Sequence, residues 1–384
     1  MFVVRRSRIE DAPTLLKLAR MVHFINLPAD QDIITQKVLH SRNSFIRAGG
    51  GGQRGHRHER RRESMEGLGS SLSETDVFMF TLEDLESGSC LGTSQIVAHM
   101  GSPGNPNVSF QLSERRFYSK TLQTGTTQAV AKLFLDESGP TELGGLILQP
   151  SYRRHKLKLG RFLSLVRFHF VGLHRDIFAD KLVAEMMAPI TPDGQNLLWE
   201  FLGRRFIGLS YTEADRFCQV SREFITSLLP REEIYLALLP PEARAVVGRV
   251  GQETVPARKL LERLGFEYRG FVDPFDGGPH LHADTDAVSI VRDTHWARLG
   301  DSVPKSQCKT PGIVSVLDTD GEFRSVNTEY KAVQKGRIAL DRASMAILAA
   351  EPGARVGVTE LERPTATRKP RKKSEPRAKR GART

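Results

Sequence analysis

ELGGLILQPSYRRHKLKLGRFLSLV, residues 142–166, reads as a buried strand, a basic turn and a helix that opens at a glycine. Glu142–Gln149 is a short, mostly apolar run with Leu146 and Leu148 on one face and Ile147 on the other. Pro150 withdraws a backbone donor and ends the ladder. From Gly160 onward, Leu163, Val166, Phe170, Leu173 and Ile177 recur at helical steps along one side. The first turn of such a helix aims free N–H groups and the positive end of its dipole at the loop. Arg153, Arg154, Lys156, Lys158 and Arg161 add positive charge around it, a seat for an anion such as pyrophosphate. An ordinary strand-to-helix connection with solvated charges has the same pattern.

Around this segment the chain alternates helices and strands. Val3–Arg6 reads as a strand. Leu15, Leu16, Ala19 and Val22 share the side of a first helix, and residues 30–41 form a second. Asp76–Leu82 and Leu91–Met100 form a hairpin across EDLESGS, and Asn107–Leu112 adds a strand. After the central helix come a strand at Lys181–Met187, a short helix at Leu197–Leu202 stopped by Gly203, and a strand at Arg205–Ser210. A helix capped at Thr212 with Asp215 runs to Leu229, and two more span Pro241–Val250 and Pro256–Leu264 before the strand FEYRGFVD. Residues 311–361 alternate short β-rich runs with turns, a small β module. The order is α/β (α+β), not that of an all-parallel dinucleotide fold.

At 384 residues and 39% hydrophobic composition the chain can build more than one core. The net charge of +11 resides in two segments. Arg47–Glu63 carries six arginines against two glutamates, and Arg363–Thr384 carries ten basic residues against one acid. Removing their +4 and +9 leaves about −2 for the rest, so the body lacks the charge of a nucleic-acid-binding face. The segment over 47–63 reads as a surface insertion and 362–384 as a disordered basic tail, able to touch polyanions nonspecifically. There is no apolar run long enough for a membrane span, and MFVVRRSRIED lacks a signal-peptide core, so a cytoplasmic location without membrane contact is expected. Cys90, Cys218 and Cys308 suggest neither a disulfide framework nor a zinc site.

The segment 142–166 resembles the acyl-CoA-binding element of the GNAT superfamily of N-acyltransferases, in which an RxxGxG loop leads from a strand into a helix. Arg153 and Gly160 match its first arginine and last glycine, but the loop is longer by about two residues and lysines replace the inner glycine. PARKLLERLGFEYRG resembles a second, later GNAT element, which implies two GNAT-like halves, at 1–210 and 211–310, followed by the β module at 311–361. More specifically, LVAEMMAPITPDGQNLLWEFLGRRF, VPARKLLERLGFEYR and FDGGP resemble the arginine N-succinyltransferase family. That resemblance implies succinyl-CoA as co-substrate, no permanently bound cofactor, and the α-amino group of L-arginine as acceptor. It also implies a donor contact at Leu146, with Ile147, Leu148, Arg153, Arg154, Lys156, Gly160 and Arg161 completing the coenzyme A site. Two family histidines are absent: Gly251 and Glu232 stand at the matching positions.

Acyl transfer from a thioester to an amine needs a neutral amine, donors for the oxyanion and a proton for the leaving thiolate. Glu185, on the strand beside the central one, is the leading base; Glu232 is the second, and Tyr235 is a proton donor to the thiolate. Asp273 and Asp276, flanking the FDGGP turn, suit a guanidinium through paired charge-assisted bonds. His280 and His282 alternate onto one strand face, but acyl transfer needs no metal and no third ligand is visible, so none is expected. Each of these residues also has a plain structural role available. Two alternatives stay open: a GNAT N-acyltransferase with another amine or acyl group, and a non-catalytic GNAT-like scaffold that binds polyanions. A homo-oligomer is compatible with all three.

Overall fold

In the computed structural model, which describes residues 1–21, 27–50, 75–191, 195–218, 221–334 and 336–362, strand β1 (Phe2–Arg6) leads to helices α1 (Ala12–Arg20) and α2 (Gln31–Ala48). Asp30 caps α2 by accepting the N–H groups of Asp32 and Ile33 at 3.0 and 3.2 Å. Helix α2 outruns its expected end at residue 41 because Ser41 and Ser44 have work further along. Their hydroxyls accept the N–H groups of Met79 and Val77, at 2.7 and 3.1 Å, on a stretch of β2 (Val77–Asp84) that β1 leaves unpaired. Strand β3 (Ser89–Val97) completes the expected hairpin. Of the insertion expected over 47–63, only Arg47–Gly50 fall within the described residues; Val22 and the tail beyond Glu362 also lie outside them.

Strand β4 continues past the expected Leu112, over Asn107–Ser119, and pairs along its length with β5 (Thr124–Asp136), which the sequence pattern hides. The distal half of this ribbon is exposed on both faces, so it carries no apolar alternation. Next come β6 (Thr141–Leu148), α3 (Leu159–Leu173) and β7 (Lys181–Glu185). Ile177 does not extend α3; it falls in a separate 3-10 turn, Arg175–Ile177.

The expected strand at Arg205–Ser210 is instead helical. A wide turn at Trp199–Gly203 passes directly into α4 (Arg204–Ile207), which Gly208 ends at φ +78°. Gly203 does not stop the helix: it gives the Trp199 ring room, and a Cβ there would collide with that ring. One long helix from Thr212 to Leu229 is likewise replaced by α5 (Tyr211–Cys218) and α6 (Glu223–Leu228). The capping box forms upstream of Thr212, between Ser210 and Glu213: Glu213 Oε2 accepts the Ser210 N–H at 2.8 Å, and Ser210 Oγ accepts the Glu213 N–H at 3.3 Å. The remaining elements are β8 (Ile234–Tyr235), α7 (Pro241–Val246), α8 (Val255–Arg263), β9 (Glu267–Val272), β10 (Pro279–Asp284), α9 (Ser289–Arg292), β11 (His295–Leu299), β12 (Thr310–Leu317), β13 (Phe323–Val333), β14 (Arg337–Ala339), α10 (Arg342–Leu348) and β15 (Arg355–Glu360).

The strands join in the order β12-β15-β11-β14-β13-β1-β2-β3-β6-β7-β10-β9-β4-β5-β8, with β6–β7 and β11–β14 parallel and the other pairs antiparallel. Because β12 also pairs with β13, the first five strands close into a small barrel around Leu299, Val314, Val326, Ile338, Val356 and Val358. No gap in the sheet falls at 210/211 or 310/311: β4 and β5 pair with β9 and β8, and the barrel joins β1 through β13. Helix α3 packs Leu163, Val166 and Phe170 on one face of the central strands, against Phe78, Leu143 and Leu182. Helix α1 and the start of α2 cover the other face at Val97 and Ile147. No described helix is long and apolar enough to cross a membrane. The fold is α/β, with helices on both faces of the central strands.

Candidate functional site

Strands β6 and β7 pair only at Thr141–Leu182 and Glu142–Val183 and then part. Gly145, at φ +58° with Gln95 against its α-carbon, shifts the β6 register at this point. Beyond Glu142 the β7 side of β6 therefore has no strand partner among the described residues. Leu146 and Leu148 are half-buried on the α3 face, while the Ile147 side chain is buried in the core on the opposite face. The expected alternation holds.

At the end of β6 the loop reaches α3 with Arg154 and Lys158 in the left-handed region, at φ +62° and +51°. These two turns absorb the extra loop length without glycine, at some cost in backbone strain. No side chain caps α3, whose N-cap is Lys158, so the first-turn N–H groups near Gly160 and Arg161 carry no capping acceptor. Arg154 and Lys156 are exposed and Arg161 is half-buried around that turn. Arg153 is engaged in the protein, with Nη1 2.7 Å from Glu253 and Nε donating to the Leu148 carbonyl at 3.3 Å.

Along β7, Glu185 lies on the same sheet face as Val183, and antiparallel pairing sets His280 of β10 opposite it. His280 Nε2 is 3.8 Å from Glu185 Oε1 and 4.0 Å from Asp273 Oδ2. Asp273, just past β9, spends Oδ1 on the N–H groups of Phe275 and Asp276 at 2.7 and 3.0 Å. Asp276 accepts the N–H groups of Ala188 and Gly278, one on each oxygen, at 2.9 and 2.6 Å. A Cβ at Gly278 would collide with the Met186 carbonyl, so the FDGGP turn is pressed onto the end of β7.

Burial dominates the electrostatics. It raises the Glu185 carboxyl, against the pull of Arg222 and a 3.4 Å hydrogen bond from Asn107 Nδ2. It raises Asp273, helped by the Glu185 charge and opposed by His280, and pushes Asp276 up to about 8, helped by Asp273. His280 and His282 are each lowered to about 4, again chiefly by burial. Nearby, burial lowers Lys37 of α2 to about 8, against Glu142 of β6, and raises Asp215 of α5 to about 6, against Lys37.

Glu185, Asp273 and His280 therefore meet in one cleft, with His282 one step along β10. The structure keeps Glu232 and Tyr235 apart from them. Tyr235 is on β8, five strand positions from β7, or about 24 Å at about 4.8 Å per strand, and its ring packs on Phe117. Glu232 is exposed in the loop before it. Gly251 donates its N–H to the Met187 carbonyl at 3.0 Å, beside the end of β7.

Sequence reading missed Lys37, Asn107, Glu142, Asp215 and Arg222. Lys37 interrupts the apolar stripe of Ile34 and Val38, and Glu142 begins an apolar strand; both were visible signals. Arg222 and Asn107 carried none, because only the tertiary fold brings them together. A different cavity, of about 530 Å³, lies against Arg5, Arg8, Asp11, Lys17 and Glu83. Arg5 there is paired with Asp11 and Glu83, and Arg8 with Glu322. The parted strands offer far more chemistry.

A family model described as arginine N-succinyltransferase beta subunit matches residues 2–290. A protein named arginine N-succinyltransferase from Yersinia enterocolitica is 40% identical over 220 residues, 56% of this chain and 62% of that protein. This match spans less than two thirds of the relative's length. One of the same name from Escherichia coli O1:K1 / APEC is 34% identical over 287 residues, 74% of this chain and 81% of that protein. The solved structure of arginine/ornithine succinyltransferase subunit AI from Pseudomonas aeruginosa superposes with a TM-score of 0.73 at 26% identity, covering 94% of this chain and 98% of that one.

Proposed function

Because the chain belongs to the arginine N-succinyltransferase family, we propose that it moves the succinyl group of succinyl-CoA to the α-amino group of L-arginine. The observation that carries this reading is the parting of β6 and β7 between an uncapped, basic helix start and a buried acid cluster. In it, the coenzyme A pyrophosphate rests on the first turn of α3, with Arg154, Lys156 and Arg161 around it. The acyl chain enters between the parted strands past Leu146 and Leu148, and the unpaired β6 edge offers N–H groups to the thioester oxygen.

Glu185 takes one proton from the α-ammonium and passes it to solvent. The freed nitrogen adds to the thioester carbon, and the oxyanion collapses as the C–S bond breaks. The second proton lost from nitrogen goes to the departing sulfur, leaving an amide, a free thiol and one proton in solution. A raised carboxyl pKa suits this base, since proton transfer is best matched when the acceptor approaches the operating pH. Glu232 and Tyr235, across the sheet, take no part in it.

Ornithine as a second acceptor is favoured by the name of the Pseudomonas aeruginosa relative, which includes it. A cytoplasmic location accompanies the proposal. Thiol release from succinyl-CoA and from acetyl-CoA, each with arginine, ornithine and lysine, tests it. Fast release from succinyl-CoA with arginine is expected; release only from acetyl-CoA, or only with another amine, points to a different N-acyltransferase. No release with any pair leaves a non-catalytic scaffold.

A further inference from the structure

The cleft acids do not divide between the two ends of the acceptor in the way the sequence suggests. Glu185, Asp273 and His280 each turn one ligand atom into a common space, all within 4.8 Å of one another. His280 Nε2 makes no hydrogen bond although the side chain is only 2% exposed, a buried ring nitrogen set between two carboxylates. Acceptors placed tetrahedrally around an amine nitrogen at about 2.8 Å stand about 4.6 Å apart. The cluster admits one nitrogen with three hydrogens, with the two histidine contacts, 3.8 and 4.0 Å, on the short side of that spacing. In an extended arginine the guanidinium carbon lies about 7 Å from the α-nitrogen, too far to share that space.

The neighbouring cation says which nitrogen it is. Arg222 lines the same cleft as Glu185 and Asp273. Its Nη1 donates to Asn107 Oδ1 at 3.1 Å, while Asn107 Nδ2 donates to Glu185 Oε1 at 3.4 Å. A single amide therefore spaces a guanidinium from a carboxylate. The α-nitrogen and carboxylate carbon of an amino acid are separated by about 2.5 Å, a comparable short span. We propose that Glu185, Asp273 and His280 together hold the α-ammonium of the acceptor and that Arg222 holds its α-carboxylate. The cleft is thus a reader of the amino-acid headgroup, with the side chain directed away from it.

This inference rests on the succinyl-transfer reading and reassigns two residues. Asp273 joins the base at the amine instead of meeting the guanidinium. Asp276, with both oxygens committed to backbone N–H groups, clamps the turn. When Glu185 has removed one proton, rotation about the Cα–N bond turns the lone pair to the thioester and carries the two remaining hydrogens with it, off the acceptors that first held them. A divalent metal fits less well. Tetrahedral ligands about 2.1 Å from zinc stand about 3.4 Å apart, and the histidine contacts at 3.8 and 4.0 Å lie between that spacing and the ammonium's, so charge decides: a bare dication would leave Arg222 facing like charge.

The test compares arginine with L-arginine methyl ester, which lacks the carboxylate charge, and with citrulline, whose side chain is neutral. In Arg222→Met, kcat/KM for arginine is expected to fall about 10- to 150-fold, mainly through KM, matching one charge-assisted contact. The methyl ester should change less than about threefold on the same scale. Asp273→Asn, which keeps the turn-accepting oxygen, should slow arginine and citrulline by the same factor. Coenzyme A binding serves as the folding control, with Arg222→Lys as the milder variant if Arg222→Met loses it. An unchanged arginine-to-ester ratio in the Arg222 variants, loss of the arginine-over-citrulline preference in Asp273→Asn, or a stoichiometric metal ion in the purified protein overturns the assignment. Each of those results leaves succinyl transfer standing. If the wild type binds arginine in equilibrium dialysis but releases no thiol, the transfer reading fails instead, and the same variants read by dialysis still decide the headgroup site.

Discussion

In the proposed reaction Glu185 acts through one carboxyl group, so its removal has a defined signature. Glu185→Gln should retain coenzyme A binding and lower turnover by about 10² to 10⁴, the usual share of general acid–base catalysis. Burial raises this carboxyl, so in the wild type the acid limb of the kcat/KM profile should lie above the ordinary glutamate range. The rate falls as pH drops through that limb, because the protonated base cannot accept a proton. A turnover within about threefold of wild type, with the same acid limb, returns Glu185 to a structural role. This residue was legible in the sequence because strand alternation put it on the Val183 face. Asn107 and Arg222 were not, since they enter from β4 and α6, far away in the chain. Tyr235 was misplaced for a related reason: the unread strand β5 stands between it and the rest of the sheet.

Helix α3 carries two jobs at its two ends. At its start, Arg154 and Lys156 surround uncapped N–H groups, and Arg154→Glu combined with Lys156→Glu should weaken coenzyme A binding by about 3 to 6 kcal/mol if two charge-assisted contacts are lost. Unchanged affinity by titration calorimetry would move the pyrophosphate elsewhere. Toward its middle, His169 meets Thr359 and Ser315 at 2.6 Å through Nδ1 and Nε2, tying α3 to β15 and β12 of the barrel. His169→Ala strands the Ser315 hydroxyl in the core, while Thr359 keeps the Thr294 hydroxyl as a partner, and should cost about 1 to 3 kcal/mol in urea unfolding.

Burial also lowers His169 to about 3, so the folded state binds fewer protons than the unfolded chain below about pH 6.5. Its contribution is intact above that pH and is lost as the pH falls toward 3. Stability of the alanine variant should accordingly depend less steeply on pH over this window; an equal slope in both proteins argues against a neutral, buried imidazole. The central strand, the helix and the hairpin were readable from apolar period alone. The helical turn at Arg204–Ile207 was not, because a short segment with only Phe206 and Ile207 to set a period fits either strand or helix.

Across the whole molecule, one continuous sheet links the closed barrel, the parted strands β6 and β7 and the ribbon β4–β5, although the sequence suggests consecutive units. The separation of charge was easier to read. The segments 47–63 and 363–384 carry more than the whole +11 and leave a nearly neutral body, and the cleft is built from buried groups instead. Removing residues 363–384 is therefore expected to leave turnover unchanged and to abolish weak, salt-sensitive retention on nonspecific DNA. A sharp loss of acyl transfer in that truncation would make the tail part of the enzyme.

The central claim concerns what leaves the cleft. Succinyl-CoA incubated with equimolar arginine, ornithine and lysine, followed by tandem mass spectrometry of the products, reads both the acceptor and the acylated atom. The account predicts succinylarginine as the dominant product, with the succinyl group on the α-nitrogen and its formation suppressed in Glu185→Gln. Succinyl on a side-chain nitrogen, or no succinylated amino acid at all from a protein that binds succinyl-CoA, would contradict it.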